Sequence, residues 1–279
     1  MDFNKVLPQE SSGNLWEVLM QEQKIVWVEN LRGIAILAVV LGHISNPMQA
    51  FIFTWHMPMF FVISGFFVDC KKPDIAFIIS LSKRLIPIYF IAMILGFSAE
   101  YLKNILLDRS QIQILGKIFT ASVNMDFDAL KNSYGFVLWF LPALFWAKVF
   151  LFFLEKYLKS AILIWIVGIL TFQLSLETEL PLGLDEGLFV LIFVIIGKYI
   201  YKIIYTLPRS SIIILLIILL STYSIFYFYS GFSNTDLALK RIHPLFIGIF
   251  QSVSLCLVLI LVSFFSPLNI KLLKHIAGM

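Results

Sequence analysis

Three ionisable side chains stand in one otherwise apolar stretch near the start of the chain: Glu29, Arg32 and His43. Ionisable groups at membrane depth are costly to bury, which makes them functional candidates by default. Arg32 and His43 are eleven residues apart. At about 100° per residue that is three turns plus roughly 20°, so a helix carries both on one face. They then stand about 16 Å apart along the axis, roughly half the thickness of a hydrocarbon core. Glu29, three residues before Arg32, can pair with it. Imidazole has a reference pKa of about 6.5, so His43 suits proton abstraction near neutral pH. Two plainer readings stand beside these. Glu29 and Arg32 can be a snorkelling pair at the membrane edge, and His43 can be a hydrogen-bonded packing group between helices.

A second histidine, His56, lies in Trp55-His-Met-Pro58-Met-Phe-Phe61. Only a short connection separates its apolar run from that of His43, so the two imidazoles can converge. Pro58 suits a first helical turn, where its missing N–H is no loss, or it kinks a helix that began earlier. Ser64-Gly65 follows, and a glycine there lets another backbone come close. Further on stand Lys83 and Arg84, just before Pro87. Cations at a cytoplasmic helix entrance normally report orientation, but an arginine fork can also hold phosphate oxygens. No glycine-rich phosphate loop competes for that role. The four histidines show no metal-ligand spacing, so no metal is expected. Cys70 and Cys256 are far apart and read as inert.

The elements that must position these residues are membrane helices. Of 279 residues, 60% are hydrophobic and only 14% are charged, against about 25% charged in an ordinary soluble domain. Mean hydropathy is +0.92, and long apolar runs recur from about residue 25 to 265. This excludes a cytosolic enzyme, a secreted domain and a disordered chain. The runs are continuous, not alternating, which argues against a β-barrel. Backbone groups in lipid must pair internally, so the expected fold class is all-α, a polytopic membrane bundle. Eight spans are read: 28–46, 51–69, 86–102, 137–154, 161–176, 186–205, 211–229 and 244–264.

Thirteen of the 21 Lys and Arg residues fall on the side that holds the N-terminus, against six on the other. The expectation is therefore a multi-pass protein of the cell membrane with its N-terminus in the cytoplasm. Residues 1–24 are a polar tail, in which Asn14–Met20 reads either as a short surface helix or as disorder. The stretch 103–136 is the one long outer connection, with a weak interfacial-helix pattern at Ile112–Phe119. The net charge of +4 is spread in pairs, so no nucleic-acid partner is expected. No internal repeat supports a transporter of inverted halves.

Taken in order, Asn30-Leu-Arg32-Gly-Ile-Ala, the step from Arg32 to His43, His56-Met-Pro-Met-Phe-Phe and Ser64-Gly65-Phe66 resemble membrane acyltransferase family 3. Arg84-Leu-Ile-Pro87 looks like the family's cationic motif before its third helix. Trp139-Phe-Leu-Pro-Ala-Leu-Phe145, Pro181–Asp185 and Phe193–Gly197 are similar to the branch that includes sugar O-acetylases. The resemblance covers about 25–200 well and implies a domain from 25 to the end of the chain.

The family implies about ten helices and transfer of an acyl group, usually acetyl, from acetyl-CoA to a hydroxyl of a cell-surface or exopolysaccharide sugar. Carried over, Arg32 and His43 are the essential pair, with His56 orienting the base or binding the acceptor. Arg84 and Lys83 face the coenzyme, and Glu29, Ser64, Gly65 and Trp139 support the site. The family often has two arginines three apart before that proline. Here the earlier position is Leu81, which leaves Lys83 as the substitute or the site weaker. The end, Leu273–Met279, looks like an inner loop before a further helix pair, which implies a C-terminally shortened domain. The alternatives are a transporter or flippase for a lipid-linked sugar, and an inactive shortened acyltransferase.

Overall fold

The computed structural model describes residues 15–107, 120, 122–124 and 136–265. Eight long helices appear among them: α1 (Leu15–Gly42), α2 (Gln49–Gly65), α3 (Asp74–Leu106), α4 (Phe140–Tyr157), α5 (Ala161–Ser175), α6 (Leu184–Ile204), α7 (Arg209–Ser230) and α8 (Leu245–Phe265). They follow the order of the eight expected spans. A short antiparallel hairpin, β1 (Asn234–Asp236) and β2 (Arg241–His243), joins α7 to α8. The fold is an all-α membrane bundle.

Asp74–Leu106, Pro181–Ile204, Ser210–Ser230 and Leu245–Phe265 are long and apolar enough to cross a membrane by length and composition alone. Of the others, α2 and α5 are shorter, at 17 and 15 residues, and α4 carries Lys148, Glu155 and Lys156 within its 18 residues. The outer faces support a lipid setting. Ile88, Phe90, Ile91, Ile94 and Leu95 of α3 are exposed, as are Ile213, Ile214, Ile217 and Ile218 of α7. In water such contiguous apolar faces would drive association; in a bilayer they are the ordinary surface.

Helix α6 is the hub, packing on α2, α4 and α5, while α2 also packs on α1 and α8. The α2–α6 crossing depends on two glycines. A Cβ on Gly65 would overlap the Val194 carbonyl, and one on Gly197 would overlap the Val62 carbonyl. Lipid tails offer helices no hydrophobic drive to associate, so close backbone approach through small residues supplies the packing contact instead.

Three boundaries differ from the sequence reading. Helix α1 begins at Leu15 and runs unbroken to Gly42, so the end of the polar tail continues the first span. Helix α2 begins at Gln49 and carries Pro58 inside it, so the proline does not open a helix. Helix α3 begins at Asp74, twelve residues before the expected span, and encloses Lys83, Arg84 and Pro87. Nothing between Pro73 and Pro87 breaks a helix, and Pro87 removes only one ladder bond, a loss that membrane helices tolerate. At 33 residues α3 is about 50 Å long. It is therefore longer than a hydrocarbon core is thick, and the two cations stand near its N-terminal end. The weak helix pattern at 112–119, residues 1–14 and residues 266–279 lie outside the described residues.

Candidate active site

A cavity of about 590 Å³ opens where the end of α1, the first half of α2, the start of α4 and the hairpin meet. His43 and His56 both line it. Each ring is held in the same way. His43 Nδ1 lies 2.8 Å from the Val39 carbonyl oxygen, and His56 Nδ1 lies 2.9 Å from the Ile52 carbonyl oxygen. A carbonyl can only accept, so Nδ1 carries a proton in both rings, and Nε2 is the nitrogen left to take or give one. The bonds run to the residue four back on the same helix, so one turn of backbone fixes each ring.

Phe53 stands between the two imidazoles, 6.3 Å from the His43 ring and 5.0 Å from the His56 ring in an edge-on contact. His56 is 1% exposed, whereas His43 is exposed at the helix end. Trp139 forms another part of the wall and packs on Phe61 at 6.0 Å between ring centres. Ser64 donates to the Phe61 carbonyl at 2.7 Å and is spent within its own helix.

Arg32 is not among the residues lining this cavity. It lies three turns nearer the N-terminal end of α1, with its guanidinium 4.7 Å from the centre of the Phe67 ring and Glu29, buried, within electrostatic reach. Arg84 of α3 and Lys148 of α4 act on the same region, since Arg32 feels Arg84, and Lys148 feels both. Three helices thus bring three cations together below the histidine cavity. Lys83 is exposed, as Arg84 is. Lys148 is 9% exposed, and in the sequence it is one charge inside the expected span 137–154. The cost of a buried ammonium was the signal that could have singled it out.

A family model described as an acyltransferase domain, that of membrane acyltransferase family 3, matches residues 25–279. The chain belongs to this family. No curated protein and no solved structure matches it. As a membrane acyltransferase it needs a bilayer, an acyl donor and an acceptor.

The rest of the site limits which groups can act in this acyltransferase. Cys256 is buried, with its thiol 3.7 Å from the Trp55 carbonyl, and Cys70 is half-buried against the Val68 carbonyl. Neither belongs to the cavity wall, so neither is placed to carry an acyl group. Among the described residues no three His, Cys, Asp or Glu groups are arranged to hold a metal ion. The hairpin residues Thr235–Ala238 complete the cavity wall, and they lie between the expected spans 211–229 and 244–264.

Proposed function

We propose that this acyltransferase moves an acetyl group from acetyl-CoA to a hydroxyl of a cell-surface or exopolysaccharide sugar, at the cell membrane and with its N-terminus in the cytoplasm. The observation that carries this reading is the pair of imidazoles whose Nδ1 atoms are tied to backbone while both rings line one cavity. Such a ring has one basic nitrogen facing a mostly apolar cavity, which suits proton abstraction from a hydroxyl.

His43 Nε2 takes the acceptor's hydroxyl proton as the oxygen attacks the thioester carbonyl. A tetrahedral oxyanion forms, and the C–S bond then breaks. The coenzyme leaves as the thiolate and receives its proton from the imidazolium, so the ring ends neutral. His56, 1% exposed and beyond Phe53, orients the acceptor or the carbonyl through its own ring. Arg32, Arg84 and Lys148 form the anion-holding side. Their place some three turns below His43 suits the phosphates of a donor whose long pantetheine arm reaches up to the cavity. Arginine forks and an ammonium are the groups that hold such oxygens.

The test has two parts. Purified protein in nanodiscs should release free thiol from acetyl-CoA, and should do so faster when a sugar acceptor is added. Cells lacking the gene should lose ester-linked acetyl from a surface polysaccharide. A protein that neither binds nor cleaves the thioester removes the acetyl-CoA reading.

A further inference from the structure

The hairpin between α7 and α8 is fastened far more thoroughly than a plain connection needs. Its strands pair over three residues each, Asn234 with His243, Thr235 with Ile242 and Asp236 with Arg241. A ladder that short has little stability of its own. Ser233 N donates to Gln251 Oε1 at 2.9 Å, and Gln251 Nε2 donates back to the Gly231 carbonyl at 2.9 Å. Thr54 of α2 reaches the Ser233 carbonyl at 3.4 Å, and Thr235 and Ser252 share a hydroxyl contact at 3.4 Å. Lys240 pairs with buried Asp185 at the start of α6 and also donates to the Thr178 carbonyl. Gly248 of α8 leaves no room for a Cβ beside Ile242. Helices α2, α6 and α8 therefore all hold one small turn in place.

That turn presents Asp236 to the histidine cavity. Its Oδ1 accepts from the backbone N–H of Ala238 at 3.1 Å and of Leu239 at 3.2 Å. Those two bonds fix the plane of the carboxylate on one oxygen and leave Oδ2 outside the turn. Asp236 is the single formally charged residue in the described cavity wall, which is otherwise aromatic and aliphatic apart from the two imidazoles and Thr235. A mostly apolar pocket with a few fixed polar groups is how proteins orient small ligands.

We infer that Asp236 recognises the acceptor and restricts it to neutral or amino sugars. The inference rests on the acyl-transfer reading above and adds the acceptor's charge to it. A sugar ring offers an apolar face to Trp139 and Phe60 and hydroxyls at its edge, and a carboxylate accepts from such hydroxyls. An ammonium on the ring is attracted to the same oxygen. A carboxylate or phosphate on the ring meets a like charge, and the cation opposite Asp236 in the ladder, Arg241, is exposed and outside the described wall. A hydroxyl beside the reacting one is thereby held by a fixed acceptor on the hairpin, while the reacting hydroxyl faces Nε2 of His43 across the same cavity.

The experiment uses the full chain in nanodiscs with acetyl-CoA and three probes: methyl glucoside, methyl glucosaminide and methyl glucuronide. The first two should be acetylated with kcat/KM about tenfold or more above the glucuronide, the scale of one unpaired like-charge encounter. Asp236→Asn keeps the turn, because its side-chain oxygen still accepts from both N–H groups. It should bring the three probes within about threefold of one another. Equal use of the glucuronide by the wild type, or unchanged discrimination in Asp236→Asn, overturns the inference. So does intact thiol release from acetyl-CoA with no transfer to the neutral and amino probes. If the wild type does not cleave acetyl-CoA at all, the acyl-transfer reading falls and this inference falls with it.

Discussion

Replacing His43 separates chemistry from packing because of how its ring is held. The imidazole is exposed at the end of α1, and its Nδ1 bond goes to Val39 in its own turn. Nothing in that bond ties α1 to another helix, so His43→Ala and His43→Gln should both fold and insert. The loss of one such bond is worth about 1 kcal/mol in a membrane interface. Losing a positioned proton acceptor lowers turnover by about 10²–10⁴-fold, which is about 2.7–5.4 kcal/mol of barrier. The gap between the two scales decides the question. In His43→Gln the amide NH₂ can still donate to the Val39 carbonyl, so the packing function survives, but an amide takes no proton at neutral pH. The assay is the initial rate of thiol release from acetyl-CoA with a sugar acceptor, on purified variants whose melting points are recorded alongside. Both variants should melt near the wild type and turn over at least about a hundredfold more slowly. A His43→Gln variant with wild-type turnover would refute the reasoning and leave His56 as the comparable base.

The remaining expectations follow from the inner cations, the glycine crossing and the topology. Arg84→Ala should raise the donor KM, and Arg84→Lys should recover only part of the loss, because lysine cannot fork onto two oxygens; an unchanged donor KM returns Arg84 to a topology charge. Lys148→Met should raise the donor KM by about tenfold while leaving the fold as stable or more so, since it removes a buried ammonium beside two arginines; a destabilised variant with a normal KM makes Lys148 structural. Gly197→Ala, which drives a methyl into the Val62 carbonyl, should cost about 1–3 kcal/mol as overpacking does, visible as a lower melting point. With Cys70 replaced by serine, a cysteine at Arg241 should react with an impermeant thiol reagent outside the cell and one at Lys72 should not. The reverse pattern would invert the assigned orientation.

What could be read from the sequence and what could not divides along local and non-local physics. Hydropathy alone located the eight helices, because a lipid solvent leaves the backbone almost no other choice. Helical periodicity placed Arg32 and His43 on one face of α1. It could not show that only His43 reaches the cavity, since that depends on where α2 and the hairpin sit. The start of α3 was missed because apolar content falls at Lys83 and Arg84, whereas the backbone continues as helix until something stops it; Pro73 does and Pro87 does not. Lys148 and Asp236 were missed for a shared reason. Each is an ordinary charge in sequence, one inside a span and one in a connection, and each acquires meaning only from residues on other helices. Lys148 matters because α1 and α3 bring Arg32 and Arg84 beside it. Asp236 matters because Gln251, Thr54 and Asp185, on three different helices, hold its turn against the histidines. A local motif can announce a base, since one turn of helix suffices to fix its tautomer. The partners of that base come from the tertiary fold, and in this chain the two residues of that kind are the ones that bear on donor and acceptor.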